Sequence, residues 1–185
     1  MAPKAEATSA LPGDHAWFAL CETPAGVLDA REVASMPGVC AITWGSEDLA
    51  VSLGARIAPG VDPLTLPHLV LARGTIPLAA AAAGIPAIDR VYLDLEDDDG
   101  LYRETQQAVA MGYRGKLALH PRQVPIIRRA FHPSGDELDD AQRVVAAAAQ
   151  AGGRAFSLDG RMIDEPLVAQ ARLIISLAEG GSDEV

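Results

Sequence analysis

The chain has 185 residues, 49% of them hydrophobic and 22% charged, which fits one globular domain with room for a sizeable core. Fifteen basic residues against 25 acidic ones leave a net charge of −10, and aromatics make up only 4%. That balance, with no basic stripe, excludes a non-specific nucleic-acid surface.

The N-terminus "MAPKAEATSALPGDH" has no charged-then-apolar export pattern, so the expectation is a cytoplasmic protein. The first predicted strand is Trp17–Cys21, which ends at Glu22 and the turn Thr23-Pro24-Ala25-Gly26. "VLDAREVAS" then reads as a helix, and a second strand is predicted over Val39–Trp44. It runs into "GSEDL", with Gly45, Ser46, Glu47 and Asp48 at a helix start. "LPHLVLARGTIPLAAAAAG" is helical and ends at Gly84; its apolar run is too short and too Gly/Pro-broken to span a membrane.

A third strand is expected over Arg90–Leu95 and a fourth over Lys116–Leu119, with "GLYRETQQAVAMG" as the helix between them. "HPRQ" (His120–Gln123) starts a further helix with Pro121 in its first turn. Ser134-Gly135-Asp136-Glu137 is a capping box opening a long Ala-rich helix to Gly152-Gly153, and Leu167–Ala178 is the last helix. Cys21 and Cys40 both sit in predicted strands without metal spacing and read as buried thiols.

Strands alternating with helices imply a parallel sheet with crossover helices. The rhythm stops near Pro133, giving a βα region over 1–133 and a helical extension over 134–185. A closed eight-stranded barrel needs roughly 200 residues, so the chain is too short for a barrel plus this extension.

In parallel βα units the C-terminal strand ends share one face, where ligands bind. Glu22 and Asp48 are 26 positions apart, one βα repeat, which places both acids on the same rim. Two hard oxygens there, completed by substrate oxygens and water, suit Mg²⁺. The alternative is that both acids merely face helix dipoles. "DLEDDDG" (Asp94–Gly100) fails the EF-hand pattern and reads as a solvated acidic loop, and His120 is a weaker candidate for the rim.

"CETPAGVLDAREVA", "WGSEDLAVSLGA", "AIDRVYLDLEDDDGL", "MGYRGKLALHPRQVPIIRRAFHPS" and "LDGRMIDEP" occur in one order and spacing. With these motifs the sequence resembles the citrate lyase β-chain-like CoA-ester lyases of the HpcH/HpaI aldolase superfamily, over nearly its whole length. The resemblance implies a partial TIM (β/α)8 barrel, a homotrimer, and Mg²⁺ held by Glu22 and Asp48. It implies cleavage of a 3-hydroxyacyl-CoA, of the citramalyl-CoA or malyl-CoA kind, into acetyl-CoA and a 2-oxo acid. A citryl-thioester lyase is the nearest alternative.

By the same resemblance, backbone amides around Gly45, Ser46 and Glu47 hold the oxo-acid carboxylate. Asp164 of "GRMIDEP" is the acid/base delivered to a neighbouring subunit; without the resemblance it reads equally well as a helix N-cap.

The sequence departs from the family at its front. It lacks the family's "LEDAV"-type acidic motif and the arginine of its "R-x-N"-type strand, and Lys4 resembles the lysine of the fourth strand. The expectation is therefore a chain beginning about halfway round the barrel. Its completion could come from a complementary chain, a second copy, or an upstream start; a non-catalytic acyl-CoA-binding subunit is the remaining alternative.

Overall fold

The computed structural model describes residues 15–180. Lys4 lies outside them. The chain divides into two compact units, Met1–Phe131 and His132–Val185.

In the first unit, the two apolar runs that end in acids form strands. β1 (Trp17–Cys21) and β2 (Val39–Trp44) pair in parallel, with Phe18 beside Ala41 and Cys21 beside Trp44. β3 (Ile88–Asp89) pairs in parallel with β4 (Gly115–Lys116). One parallel bridge, Ile42 to Ala87, joins the two pairs. The strands therefore stand in chain order, all parallel, as in an arc of a βα barrel.

The last two strands are shorter than expected and begin earlier than Arg90 and Lys116. The reason is a side chain. The ladder ends where Leu117 N donates to Asp89 O. Beyond it the buried Gln123 takes over: its Nε2 donates to Tyr92 O, and its Oε1 accepts from Leu119 N and His120 N. "RVYLDL" therefore forms no strand, and its Tyr92 carbonyl accepts from a glutamine rather than from a neighbouring strand.

The connecting segments are helical. "VLDAREVAS" forms two short helices rather than one, α1 (Pro24–Leu28) and α2 (Ala30–Ala34), broken at Asp29. Thr23 caps the first by accepting from Gly26 N at 3.1 Å. α3 (Ser46–Ser52) follows β2 directly. α4 (Pro67–Ala83) stops at Gly84, whose φ of 72° is the left-handed geometry that glycine takes at low cost. α5 (Asp98–Ala110) precedes β4, and α6 (Val124–Phe131) closes the unit.

The core lies between the sheet and α4. Leu69, Ala72, Ile76, Ala79 and Ala80 recur at helical spacing and pack with Ile42, Trp44, Ala87, Ala108 and Tyr113. Cys21 belongs to this core, and burial pushes its thiol pKa up to about 11. Cys40, expected to be buried, is exposed, because it lies on the opposite side of β2 from Ala41, and its Sγ reaches Trp17 O.

α4 carries Pro77 in its interior. A proline has no N–H for the carbonyl four residues back, which is that of Arg73. The buried Tyr113 hydroxyl supplies the missing donor, reaching Arg73 O at 2.7 Å.

The second unit pairs α7 (Gly135–Ala151) with α8 (Glu165–Gly180) around Ala141, Val144, Ile163, Val168 and Ala171. The Ser134–Glu137 capping box forms as expected. Between the helices, β5 (Phe156–Leu158) and β6 (Arg161–Ile163) make an antiparallel hairpin. Its turn is Asp159-Gly160, with φ of 51° and 78°. Asp-Gly is a preferred pair for such turns, because both residues tolerate positive φ. Among the described residues no helix is long and apolar enough to cross a membrane.

Candidate metal centre and active site

Glu22 follows the last residue of β1, and Gly45 N donates to Cys21 O at 3.3 Å, so Glu22 and Gly45 stand side by side. A Cβ added at Gly45 would lie 3.8 Å from Glu22 Oε2. Three residues beyond Gly45, Asp48 occupies the first turn of α3 and is exposed. Glu22 thus directly follows β1, and Asp48 lies just past the end of β2, in the first turn of the next helix. Among the described residues neither carboxylate is engaged in a side-chain hydrogen bond or ion pair. Two uncommitted hard oxygen donors suit a small divalent cation, whose remaining positions water and substrate oxygens can fill. Among the described residues no group of three or more acids, histidines or cysteines is placed to hold a metal ion by itself.

Gly45 is the N-cap of α3 and brings no capping side chain. The first-turn amides of Ser46, Glu47 and Asp48 thus lack intrahelical acceptors. The side chains of Ser46 and Glu47 are occupied: Ser46 Oγ donates to Glu47 Oε1 at 2.8 Å, and Arg90 reaches both.

Arg90 opens a charge network that the sequence did not reveal. Its Nη2 donates to Glu104 Oε2 at 2.8 Å, and Lys116 Nζ contacts both Glu104 Oε1 at 2.7 Å and Asp89 Oδ2 at 3.2 Å. Arg73 Nη2 holds Asp89 Oδ2 at 2.8 Å and the Glu104 carbonyl at 3.0 Å, while Trp44 Nε1 donates to Asp89 Oδ1. Burial on its own would raise the Asp89 pKa. Lys116 and Arg73, with the hydrogen bonds from Arg73 and Trp44, outweigh it and bring the carboxyl below its ordinary range. The signal available in sequence was a charged residue in an apolar stripe. Arg73 stands with Leu69, Ala72 and Ile76, and Glu104 with Leu101, Thr105 and Ala108.

The remaining candidates are dispersed. His120 caps the turn Pro121–Gln123, its Nδ1 accepting from Arg122 N at 3.2 Å. In the acidic loop, Asp97 caps α5 through Gly100 N and accepts from the Tyr92 hydroxyl at 2.7 Å. Asp164 belongs to the second unit, is half-buried between β6 and α8, and its carbonyl accepts the first helical bond from Val168 N. A cavity of about 640 Å³ opens on the first unit beside Arg90, Tyr92, Asp94, Arg103 and Gln107.

Residues 12–121 match the family described as HpcH/HpaI aldolase/citrate lyase. The chain belongs to this family. Residues 79–179 also match the carbon–carbon bond lyases of the TIM-barrel fold. Among relatives of the HpcH/HpaI aldolase/citrate lyase family, the citrate lyase subunit beta-like protein of Mycobacterium tuberculosis is 37% identical across 100% of this chain and 68% of its own length. The mitochondrial citramalyl-CoA lyase of Mus musculus is 35% identical, matching 85% of this chain and 48% of the mouse protein. The crystal structure of CitE from Mycobacterium tuberculosis in complex with magnesium, acetoacetate and coenzyme A superposes with a TM-score of 0.85 at 34% identity. That superposition covers 95% of this chain and 65% of CitE. The chain thus spans between about half and two thirds of the length of these family members.

Proposed function

We propose that this chain carries the metal- and proton-handling part of a Mg²⁺-dependent carbon–carbon lyase. Its substrate would be a 3-hydroxyacyl-CoA, cleaved to acetyl-CoA and a 2-oxo acid. The observation that carries this proposal is the placement of Glu22 beside the Gly45–Asp48 turn at adjacent parallel strand ends, in a family of lyases. The magnesium in the CitE complex supports the choice of ion.

Glu22 and Asp48 would hold the cation from one rim. When bound, magnesium supplies Lewis-acid polarisation of the oxo-acid oxygens. The free amides of Ser46, Glu47 and Asp48 would donate to the oxo-acid carboxylate, as a helix start does for an anion. As the bond between the hydroxyl-bearing carbon and the thioester α-carbon breaks, the hydroxyl loses its proton to solvent and becomes the 2-oxo carbonyl. The bonding electron pair stays on the acetyl fragment as an enolate that must gain one proton at its α-carbon. Asp164, reaching the site of an adjacent copy in a homo-oligomer, delivers the proton to that carbon and accepts it in the reverse condensation. The cavity beside Arg90 and Arg103 offers room for part of a thioester substrate.

Cleavage of citramalyl-CoA and malyl-CoA, followed with Mg²⁺ and with chelator, tests the proposal. Asp48→Ala should lower kcat/KM at least about a hundredfold. Activity indifferent to the chelator or to Asp48→Ala would remove the metal from the chemistry. The name of the 37%-identical relative favours a second substrate, a citryl thioester. Adding citryl-CoA to the same assay separates the two by kcat/KM.

A further inference from the structure

We infer that Arg90 is a positioning residue for the metal site, fixing the first turn of α3 and with it Asp48. This inference rests on the proposed metal ligands. Arg90 follows β3 and is itself outside the ligand set. Its Nη1 donates to Ser46 Oγ at 3.0 Å and lies 3.4 Å from Glu47 Oε1. Its Nη2 is anchored on Glu104 Oε2 at 2.8 Å. One guanidinium therefore ties α3 to α5 across the end of β3.

The anchor is firm on the far side. Glu104 is fixed by Lys116 through its other carboxylate oxygen and by Arg73 through its carbonyl. Arg90 has only 4% of its side chain exposed, so solvent does not screen the contact appreciably. The near side needs such a tether. α3 is a seven-residue helix whose N-cap, Gly45, offers no side chain, and Asp48 is bound to nothing else among the described residues. A short uncapped helix start frays. Ser46 and Glu47 immediately precede Asp48, so fixing both fixes the backbone that aims its carboxylate. A planar fork with donors on two edges suits this bridge, whereas a lysine ammonium reaches one side only.

The test is Mg²⁺ titration calorimetry, with Mn²⁺ as a spin-resonance probe, on the whole chain. Wild type is compared with Arg90→Met, Arg90→Lys, Ser46→Ala and Asp48→Asn, each checked for folding. Arg90→Met should weaken Mg²⁺ binding about tenfold or more, in the range seen when a group supporting a metal ligand is lost. Arg90→Lys should recover part of that loss, and amide hydrogen exchange should quicken at residues 45–49. A folded Arg90→Met protein with affinity within about twofold of wild type overturns the inference, whatever its melting temperature. Should Arg90→Met not fold, Ser46→Ala decides: weaker binding supports the tether, and unchanged binding overturns it. If Asp48→Asn leaves affinity unchanged, the metal site itself is wrong and the inference falls with it. If Asp48→Asn abolishes binding while Arg90→Met does not, the inference alone fails.

Discussion

Asp89 has no exposed surface, yet its carboxyl is held ionised by Lys116 at 3.2 Å and Arg73 at 2.8 Å. Its folded pKa lies below the ordinary value of 3.8. A lowered carboxyl pKa means that the stabilisation is complete above the unfolded value and disappears as pH falls through the folded one. Acid unfolding followed by circular dichroism should therefore show stability falling below about pH 3.8. Asp89→Asn should flatten that dependence and cost about 3 kcal/mol at neutral pH, since it leaves two buried cations short of a partner. A variant as stable as wild type at pH 7 would contradict this role. At this scale the sequence shows only part of the site. The placement of Glu22 and Asp48 near successive strand ends is legible, because one closes an apolar run and the other lies just past the next, one repeat on. The pairings of Arg73, Glu104 and Arg90 are not, because the partners lie 14 to 44 positions apart; the apolar stripes around Arg73 and Glu104 signal burial but not the partner.

The elements show the same division between local and distant causes. Gly84 ending α4 and the Ser134 box opening α7 are local signals, and both act where expected. β3 and β4 end earlier than the sequence predicts because Gln123, 31 positions from Tyr92, takes hydrogen bonds that a strand would otherwise make. The Asp159-Gly160 hairpin was readable from its turn pair, but its three-residue strands are too short to show alternation. Pro77 and Tyr113 provide a test at this scale. Tyr113→Phe leaves the Arg73 carbonyl buried without a donor and should cost about 1–3 kcal/mol. In a Pro77→Ala background the restored helical N–H takes that carbonyl, and the same change should cost about 1 kcal/mol less. Urea unfolding of the four proteins measures this coupling. Strictly additive effects would mean that the tyrosine hydroxyl does not serve the proline gap.

For the whole molecule, four parallel strands in chain order put the ends of β1, β2 and β3 on one face. Glu22, the uncapped start of α3 and Arg90 follow those strand ends, and the buried charges joined to Arg90 link α4, α5 and β4. Under the proposed function this arrangement would keep the chemistry on loops and helix starts, aimed by the packed interior. The fold class is legible from the strand–helix alternation, and so are the bounds of β1 and β2, whereas those of β3 and β4 are not. The most direct measurement is the stoichiometry and affinity of Mg²⁺ on the intact chain and on Glu22→Gln and Asp48→Asn. The account predicts one ion per chain, with affinity falling at least about tenfold in each variant and no further additive loss when both are combined. Binding unchanged in either single variant, or one site per carboxylate, would contradict it.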